Sequence, residues 1–255
     1  WTPAGKIHLS ARIFRHHPPC PIAHPAMRLS IILPTLNESD GIADALATLQ
    51  ALRRAGHEVI VADGGSADGT PSLATPLADR VIAAPRGRAR QMNAGAAAAS
   101  GDALLFLHAD TRLPEGAAER VAGALVDHAW GRFDVAIQGR PALLGVVAAM
   151  MNLRSRLTGI ATGDQAIFVT RAAFDAVGGY PDQPLMEDIE LSKRLKHLGP
   201  PACLADKAIT SGRRWERHGV GRIILLMWRL RFDYWRGVPA ERLARRYDPD
   251  VSRER

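Results

Sequence analysis

The sequence predicts an α/β fold built around a doubly wound, mostly parallel sheet. Three observations support this prediction: short apolar segments alternate with helical segments, the loops between them are short, and three of the apolar segments end in polar clusters. Such alternation is typical of parallel βαβ units. Because ligands of open α/β sheets bind beyond the carboxyl ends of the strands, we expect the functional site at those polar clusters.

The first half of the chain alternates regularly between the two element types. Strands are predicted over 29–33, 58–62, 80–83 and 103–108, and helices over about 40–55 and 88–99. The strand at 103–108 starts with a continuous apolar run, which is typical of a strand buried on both faces. The first helix carries apolar residues at helical spacing and ends at Gly56, a residue common just after a helix.

The second half is less regular. Helices are predicted over 114–127, 186–198 and 219–235, and strands over 133–138 and 165–170. The chain has no apolar run of transmembrane length, and its apolar segment at 142–151 is too short to span a bilayer. The helix at 219–235 mixes apolar and arginine residues, which fits either a membrane interface or packing on the core with extended arginine side chains.

Charge is distributed unevenly over the 255 residues, whose net charge is +7. Residues 1–27 carry three basic residues and no acids, and residues 193–255 carry 16 basic and 7 acidic residues, whereas the segment between them is acidic. A basic C-terminal quarter suggests an anionic partner, and the alternative is a set of solvated helix faces. We predict an anionic membrane surface as a candidate partner, and no nucleic acid.

The composition also suggests how the chain is organised. We predict a poorly ordered, proline-rich tail over 1–27, one domain over 28–218, and a helical extension over 219–255 that packs on that domain. The cysteines, Cys20 and Cys203, form no ligand cluster or disulfide framework. We therefore expect a cytoplasmic protein, located either in solution or at the inner face of the membrane.

Two common nucleotide-binding motifs do not occur. The chain has no phosphate loop of the G-x-x-x-x-G-K-[ST] type, and no G-x-G-x-x-G follows the first strand, so a P-loop NTPase and a standard Rossmann dehydrogenase are disfavoured. Asp63 with the following Gly64-Gly65-Ser66 could contact a nucleotide, and Asp110 could hold a divalent ion on a phosphate. Loop and helix-cap chemistry is the alternative for each aspartate.

Several motifs occur in an order that resembles a known family. They are Ile31-Ile-Leu-Pro-Thr-Leu-Asn-Glu38, Val61-Ala-Asp-Gly-Gly-Ser-Ala-Asp-Gly-Thr70, His108-Ala-Asp110 and Glu187-Asp188. In this order and spacing, over about 28–220, they resemble family 2 glycosyltransferases, which are nucleotide-sugar-dependent enzymes of the GT-A fold. Further stretches, such as Gly87–Gly95 and Arg214–Arg217, are similar to a compact bacterial subfamily associated with radical-SAM, selenium-related or arsenosugar gene neighbourhoods.

The resemblance implies roles for individual residues. The implied nucleotide-binding residues are Pro34, Thr35, Asn37, Glu38, Asp63, Gly64, Ser66, Arg90 and Asn93. Asp110 is the implied ligand for Mn²⁺ or Mg²⁺, His108 takes the place of the other carboxylate, and His218 of the basic quarter could complete the metal shell. The predicted acceptor or diphosphate contacts are Trp130, Asp164, Gln165, Arg213, Arg214 and Trp215. For Arg213 and Arg214 the alternative is surface solvation. Asp188 is the first choice for the catalytic base, with Glu187 in a positioning role. The helix dipole is expected to help keep Asp188 ionised.

The chain departs from the family pattern at two places. His108 replaces the first carboxylate of the D-x-D motif, which biases the site toward Mn²⁺. The stretch Ser211-Gly-Arg-Arg-Trp215 lacks the glutamine of processive members. The missing glutamine therefore favours a non-processive enzyme. One base and no separate nucleophile imply inversion, and the predicted function is a hexosyltransferase with a UDP-sugar as first-choice donor and an unknown hydroxyl acceptor. A sugar-phosphate nucleotidyltransferase and a non-catalytic nucleotide-sugar or membrane-surface binding module are the alternatives.

Overall fold

A computed structural model describes residues 27–247, so the predicted tail, apart from Met27, lies outside the described residues. These residues form one eight-stranded mixed sheet flanked by helices, with strand order β3-β2-β1-β4-β7-β6-β8-β5. The strands are β1 Leu29–Thr35, β2 Glu58–Asp63, β3 Arg80–Ala83, β4 Ala103–Phe106, β5 Thr111–Arg112, β6 Trp130–Gln138, β7 Phe168–Thr170 and β8 Ala202–Ser211. The helices are α1 Ile42–Thr48, α2 Gln50–Arg54, α3 Thr70–Ala74, α4 Arg88–Ala98, α5 Ala117–Asp127, α6 Leu144–Thr158, α7 Arg171–Ala176, α8 Glu187–Lys196, α9 Arg213–His218, α10 Val220–Trp235 and α11 Ala240–Tyr247.

The first four strands in sheet order, β3-β2-β1-β4, are parallel, as predicted. Both faces of β1 are covered: Ile31 and Leu33 pack into one core cluster, while Ile32 on the opposite face packs into another with Phe106. Because successive side chains of a strand point to opposite faces, burial on both faces requires the continuous apolar runs seen in the sequence. This arrangement brings the carboxyl ends of β1, β2 and β4 to one edge of the sheet.

The remaining half of the sheet is mixed, and the α/β prediction is confirmed with one correction. Strand β4 is parallel to β1 but antiparallel to β7, so it is not flanked by parallel partners on both sides. Strand β6 is antiparallel to β7 and parallel to β8. The edge strand β5 pairs antiparallel with β8. Strand β8 and the full length of α6 are missing from the sequence prediction.

The C-terminal helices pack on the sheet domain through a separate apolar cluster. Leu230 of α10 and Leu243 of α11 lie in this cluster with Leu185, Met186 and Ile189, which bracket the start of α8. None of the helices within residues 27–247 has the length and apolar character needed to cross a membrane.

Three non-glycine residues within 27–247 adopt positive φ, and all three lie in loops around the carboxyl edge of the sheet or at the start of α8. They are Asn37 (φ 53°) after β1, Ala166 (φ 46°) after the short 3₁₀ turn Gly163–Gln165, and Met186 (φ 66°) immediately before α8. Such conformations cost of order 1–3 kcal/mol for residues with a side chain, and they concentrate at functional sites. Their positions draw attention to the cleft that these loops surround.

Candidate active site

The loops after β1 and β2 are tied together through Asp63. Its Oδ1 accepts hydrogen bonds from Ser66 Oγ (2.6 Å) and Thr35 Oγ1 (3.2 Å). Its Oδ2 accepts from the backbone N–H groups of Gly65 (2.9 Å) and Ser66 (2.8 Å). Ser66 Oγ also accepts a hydrogen bond from the Asn37 N–H at 2.8 Å. Four of the predicted nucleotide-binding residues therefore meet in one place, where the buried Asp63 holds both loops together with Thr35, Asn37 and Ser66. The contact of Asp63 with a base or ribose stays a prediction.

A buried glutamine, absent from the sequence prediction, joins the same two strands. Gln91 on α4 is 3% exposed, and its Nε2 donates to the carbonyl oxygens of Thr35 (2.6 Å) and Ala62 (2.9 Å). A Cβ on Gly64 would lie 3.0 Å from the Gln91 side chain, so the glycine lets the loop approach it closely. Pro34 is buried within β1. Gln91 thus fixes the distance between the ends of β1 and β2.

Two other predicted nucleotide-binding residues on α4 bind protein groups. Arg90 forms an exposed ion pair with Asp182, with Nε 2.6 Å from Oδ1. Asn93 donates from Nδ2 to the carbonyl of Tyr180 (2.8 Å) and accepts the N–H of the same residue at Oδ1 (2.9 Å). Both side chains therefore hold the segment that leads into α8. Their predicted contact with a sugar nucleotide stays a prediction.

Arg88, two residues before Arg90, faces the carboxylates instead. Its Nη1 lies 3.9 Å from Oε1 of the buried Glu187. Although burial lowers the pKa of Arg88, the negative charges around it, first that of Glu187, raise its pKa above the ordinary value. Residues two apart on a helix point in different directions, so only one of the two arginines can face the cleft. The local sequence gives no signal for which one does so.

The predicted catalytic pair lies at the N-terminus of α8, directly after the strained Met186. Asp188 accepts hydrogen bonds from the Gly163 N–H at Oδ2 (3.1 Å) and from the Ile189 N–H at Oδ1 (2.7 Å). Glu187 is 5% exposed. The left-handed conformation of Met186 turns the chain sharply, and the two carboxylates follow that turn.

Burial and the neighbouring charge of Glu187 raise the pKa of Asp188 to about 6. The two backbone N–H donors and the charge of Arg88 act in the opposite direction but do not outweigh these effects. The helix dipole was expected to help keep Asp188 ionised, but desolvation has the larger effect on its pKa and raises it. Burial, followed by the charges of Asp188 and Glu187, also raises the pKa of Tyr180 well above 10, which places that phenol close to the pair.

His108, at the end of β4, pairs with Asp164. Its Nδ1 lies 3.3 Å from Asp164 Oδ1. A Cβ on Gly163 would lie 2.4 Å from the imidazole ring, so glycine is required for this approach. Burial raises the pKa of Asp164, but the hydrogen bond and charge of His108, helped by Arg88 and Arg214, outweigh it and leave the pKa below its usual value. The two predicted residues are thus brought together, as an imidazole–carboxylate pair.

Asp110 and Glu38 form the acidic side of the cleft. Burial raises the pKa of Glu38; the charge of Arg213 opposes this effect and the charge of Asp110 adds to it. Arg213 Nη2 lies 3.8 Å from Glu38 Oε2 and is largely exposed. The hydrogen bond to the Asp110 carboxylate, from Thr111 Oγ1, is long at 3.4 Å, which leaves its oxygens able to bind a cation.

The predicted metal ligands do not form a site made of protein groups alone. Among residues 27–247, no group of three or more His, Cys, Asp or Glu side chains is arranged to hold a metal ion. His218 is exposed at the end of α9, and His108 is engaged with Asp164. Asp110 still fits a divalent ion of the Mg²⁺ or Mn²⁺ type, because Mg²⁺ typically binds one or two carboxylates and takes its remaining ligands from substrate phosphates and water.

Two further arginines extend the positive side of the cleft. Arg214 stacks on Tyr247 of α11, with its guanidinium carbon 3.7 Å from the ring centroid, and Nη2 donates to the Tyr247 carbonyl at 2.9 Å. Arg154 of α6 has Nε and Nη2 buried without a hydrogen-bond partner among the described residues. Burial lowers the pKa of Arg154; the charge of Asp188 opposes this effect and that of Arg132 adds to it. Arg154 was not predicted from the sequence.

Three predicted acceptor or diphosphate residues have structural roles instead. Trp130 is fully buried and donates from Nε1 to the Gly199 carbonyl at 3.0 Å. Gln165 is also fully buried, and it closes a capping box with Thr162. Trp215 packs against the small apolar cluster between α6 and α10. Burial or packing engages these side chains with the protein, and their predicted contact with an acceptor or diphosphate stays a prediction.

The geometry agrees with comparisons to known proteins. Residues 30–156, from β1 through most of α6, match the family model described as Glycosyl transferase family 2. The chain is similar to the Beta-monoglucosyldiacylglycerol synthase of Synechocystis, with 25% identity over 253 residues, which covers 84% of this chain and 50% of the relative. The chain therefore spans about half the length of that curated relative.

Solved structures share the fold at low sequence identity. One is the mannosyltransferase PcManGT of Pyrobaculum calidifontis in complex with GDP-Man and Mn²⁺, with TM-score 0.56, 23% identity, and coverage of 72% of this chain and 56% of that one. Another is S. aureus TarS 1-349 in complex with UDP-GlcNAc, with TM-score 0.59, 18% identity, and coverage of 72% and 58%. A third is glucosyl-3-phosphoglycerate synthase of Mycobacterium tuberculosis with Mn²⁺, UDP and glucosyl-3-phosphoglycerate, with TM-score 0.53, 21% identity, and coverage of 72% and 71%. The family match and the shared fold identify this chain as carrying a glycosyltransferase family 2 domain with the GT-A fold.

Proposed function

We propose that this chain transfers a sugar from a nucleoside-diphosphate sugar to a hydroxyl acceptor, with Asp188 as the general base. One observation carries the proposal: Asp188 lies in the cleft beside Glu187 with a pKa raised to about 6 by burial and by the Glu187 charge. A carboxylate with that pKa is ionised at neutral pH and is basic enough to accept a proton during the reaction. The GDP-Man and UDP complexes of the structural neighbours support a nucleotide-sugar donor, and a UDP-sugar is the first choice.

The proposed reaction is a single displacement at the anomeric carbon. The acceptor oxygen forms a bond to this carbon while the bond to the diphosphate oxygen breaks and its electron pair leaves with the nucleoside diphosphate. The acceptor proton passes to the carboxylate of Asp188. With one base and no separate nucleophile assigned, the transfer inverts the anomeric configuration and adds one sugar per encounter. Glu187 positions the base and pairs with Arg88.

Charge on the leaving diphosphate needs positive groups close to it. Arg88 and Arg214 face the carboxylates of the cleft, and Arg213 stands beside Glu38 at its rim. A Mn²⁺ or Mg²⁺ ion, for which Asp110 is the assigned ligand and His108 a further candidate, would add positive charge beside the diphosphate. Since Arg213 is 61% exposed, surface solvation remains the simpler account of that residue alone.

The same proposal includes the type of sugar, the subfamily and the cellular location. A hexose is the proposed sugar, and the compact bacterial subfamily associated with radical-SAM, selenium-related or arsenosugar gene neighbourhoods is the proposed affiliation. The cytoplasm is the proposed location, which agrees with the free Cys203.

A donor panel tests the proposal directly. The full chain is incubated with UDP- and GDP-sugars, with and without Mn²⁺, and release of free nucleoside diphosphate is measured together with the anomeric configuration of the product. We expect Mn²⁺-dependent release that is reduced about a hundredfold or more in Asp188→Asn. Release of pyrophosphate from a sugar phosphate and a nucleoside triphosphate would indicate nucleotidyl transfer instead. Tight donor binding without any release would indicate a non-catalytic module.

A further inference from the structure

Exposed apolar side chains are concentrated on two helices. Of the thirteen large hydrophobic residues exposed within residues 27–247, nine lie on or next to α6 and α10. They are Leu143, Val146, Met150, Leu153 and Leu157 on the α6 side, and Leu225, Trp228, Phe232 and Trp235 on α10. Each is about half exposed or more, so together they present on the order of 1,000 Å², more than the few hundred Å² usual for a patch on a soluble monomer. We call this surface the α6–α10 face.

The spacing places each set on one side of its helix. On α6 the exposed residues follow one another at intervals of three and four, which is one continuous stripe. On α10 the exposed Trp228 and Phe232 lie on the side opposite the buried Ile223 and Leu230. The two helices contact each other through Leu144, Val147 and Met151 of α6 and Val220 and Ile224 of α10. The two stripes therefore lie on helices that pack against each other.

The charges beside this surface are positive. Arg222 and Arg229 of α10, and Arg236 directly after it, are exposed next to the apolar stripe, and α6 contains no acid. The single acid of α10, Asp233, is paired with Arg246 at 2.7 Å. Two copies of the chain meeting through this face would bring arginines of like charge together, whereas the phosphates of an anionic lipid surface would complement them. Tryptophan is also typical of the membrane–water interface.

We propose that the α6–α10 face docks on an anionic lipid surface, and that the acceptor hydroxyl is carried by a lipid of that surface. The second part rests on the proposed function. The chain would lie on the membrane and not span it, with the apolar stripes entering about 5–10 Å into the boundary between headgroups and acyl chains.

The position of α10 connects this face to the catalytic base. The side of α10 that turns away from the stripe packs, through Leu230, on Met186 and Ile189, which bracket Glu187 and Asp188. One helix, about 10 Å across, therefore separates the docking surface from the segment that carries the base. A hydroxyl at the level of the lipid headgroups would therefore lie near the height of the cleft, so that a lipid embedded in the membrane could serve as acceptor.

Vesicle flotation of the full chain tests the docking. Vesicles of phosphatidylcholine with phosphatidylglycerol are compared with vesicles of phosphatidylcholine alone. We expect binding to the anionic vesicles that falls with salt, since charge attraction is screened over about 8 Å at physiological ionic strength. The double variant Trp228→Ser/Trp235→Ser should lower binding at least tenfold. Val126→Ser, on α5 and 79% exposed, is the matched control and should bind like the parent.

The arginines are tested separately. Replacing Arg222, Arg229 and Arg236 by Gln should lower the affinity for anionic vesicles about fivefold per residue and leave binding to neutral vesicles unchanged. Equal binding of parent and double variant would overturn the proposal. A second result would also overturn it: the parent does not bind vesicles and forms a stable dimer in sedimentation, and the double variant is monomeric. The α6–α10 face would then be occupied by a second copy of the chain.

The acceptor part has its own measurement. Sugar transfer is assayed with hydroxyl-bearing lipids in anionic vesicles and with soluble hydroxyl acceptors. We expect transfer to the lipid, with a loss in Trp228→Ser/Trp235→Ser that matches its loss of vesicle binding. Transfer to a soluble acceptor at equal rates in parent and variant, with no lipid product, would overturn the lipid acceptor and leave the proposed function standing. Vesicle binding without release of nucleoside diphosphate from any donor would instead overturn the proposed function.

Discussion

Replacing Asp188 by Asn should stabilise the folded protein at neutral pH while removing its transfer activity. The pKa of Asp188 is about 6 in the folded protein against an ordinary value of 3.8, a difference worth about 3 kcal/mol. Since the folded state binds this proton more tightly than the unfolded state, the free energy of unfolding falls as the pH rises from about 4 to 6, and the full penalty is present above that window. Asn carries no charge and so avoids the penalty.

The expected net change is smaller than the full penalty. The amide oxygen of Asn can accept one of the two backbone hydrogen bonds, from Gly163 and Ile189, and losing the other costs about 1 kcal/mol. Asp188→Asn should therefore be about 2 kcal/mol more stable than the parent at pH 7.5 and about equally stable at pH 4.5, where the remaining penalty in the parent is only about 1 kcal/mol.

Urea unfolding followed by tryptophan fluorescence at the two pH values measures this change. Glu190→Gln, one turn into the same helix where Glu190 pairs with Lys193 at 3.3 Å, is the matched control and should show no such gain at pH 7.5. In the parent, the transfer rate should rise with pH through an inflection near 6, and in Asp188→Asn it should fall about a hundredfold or more. If Asp188→Asn were less stable than the parent by the same amount at both pH values, the reasoning would be refuted. That result would show that the charge of Asp188 does not destabilise the folded protein.

Four further variants test the other sides of the cleft. Asp110→Ala should abolish Mn²⁺-dependent binding of nucleoside diphosphate in calorimetry without changing the unfolding temperature, and unchanged metal-dependent binding would contradict the assignment. Asp63→Ala should weaken donor affinity. Because four hydrogen bonds to the Asp63 side chain are lost, the variant should also have a free energy of unfolding lower by about 2–4 kcal/mol. If the destabilised variant bound the donor as tightly as the parent, the role of Asp63 would be only to hold the loops. Arg88→Ala should slow transfer about a hundredfold, whereas Arg90→Ala, on the same helix, should leave the transfer rate nearly unchanged. Equal losses of transfer rate in the two variants would contradict the placement of the two arginines.

The first half of the sheet could be predicted from the sequence because its chemistry is local. A strand covered on both faces must be largely apolar, and β1, β2 and β4 are fully buried, mostly apolar runs with polar residues at or shortly after their carboxyl ends. Strand β8 has no such signal, since Asp206 and Lys207 interrupt it and its residues alternate irregularly between buried and half-exposed. Helix α6 was missed for a different reason: its outer face is apolar, so it lacks the polar stripe that identifies a surface helix.

Only part of the candidate site could be predicted from the sequence, from the ends of strands and from the order of the motifs. Strand ends and motif order placed Asp63, His108 and Asp188 at the cleft. They could not identify Gln91 or Arg154, whose surroundings come from segments distant in the chain. The raised pKa of Asp188 could not be predicted for the same reason. Desolvation depends on which segments pack over the start of α8, and the local sequence does not indicate which segments these are.

The pairing of β5 with β8 determines when the cleft is completed during folding. Thr111 Oγ1 lies 3.1 Å from Thr210 Oγ1 across 99 positions of sequence, and the Asp110 carbonyl accepts the N–H of Ser211 at 3.2 Å. The pairs among β1 to β4 close shorter loops and involve only the first half of the chain. Since long-range pairing is slower than local pairing, a chain emerging during synthesis acquires the loops after β1 and β2 first. It fixes the backbone of Asp110, the proposed metal ligand, only after residue 211 has been made, so the cleft is completed late in synthesis.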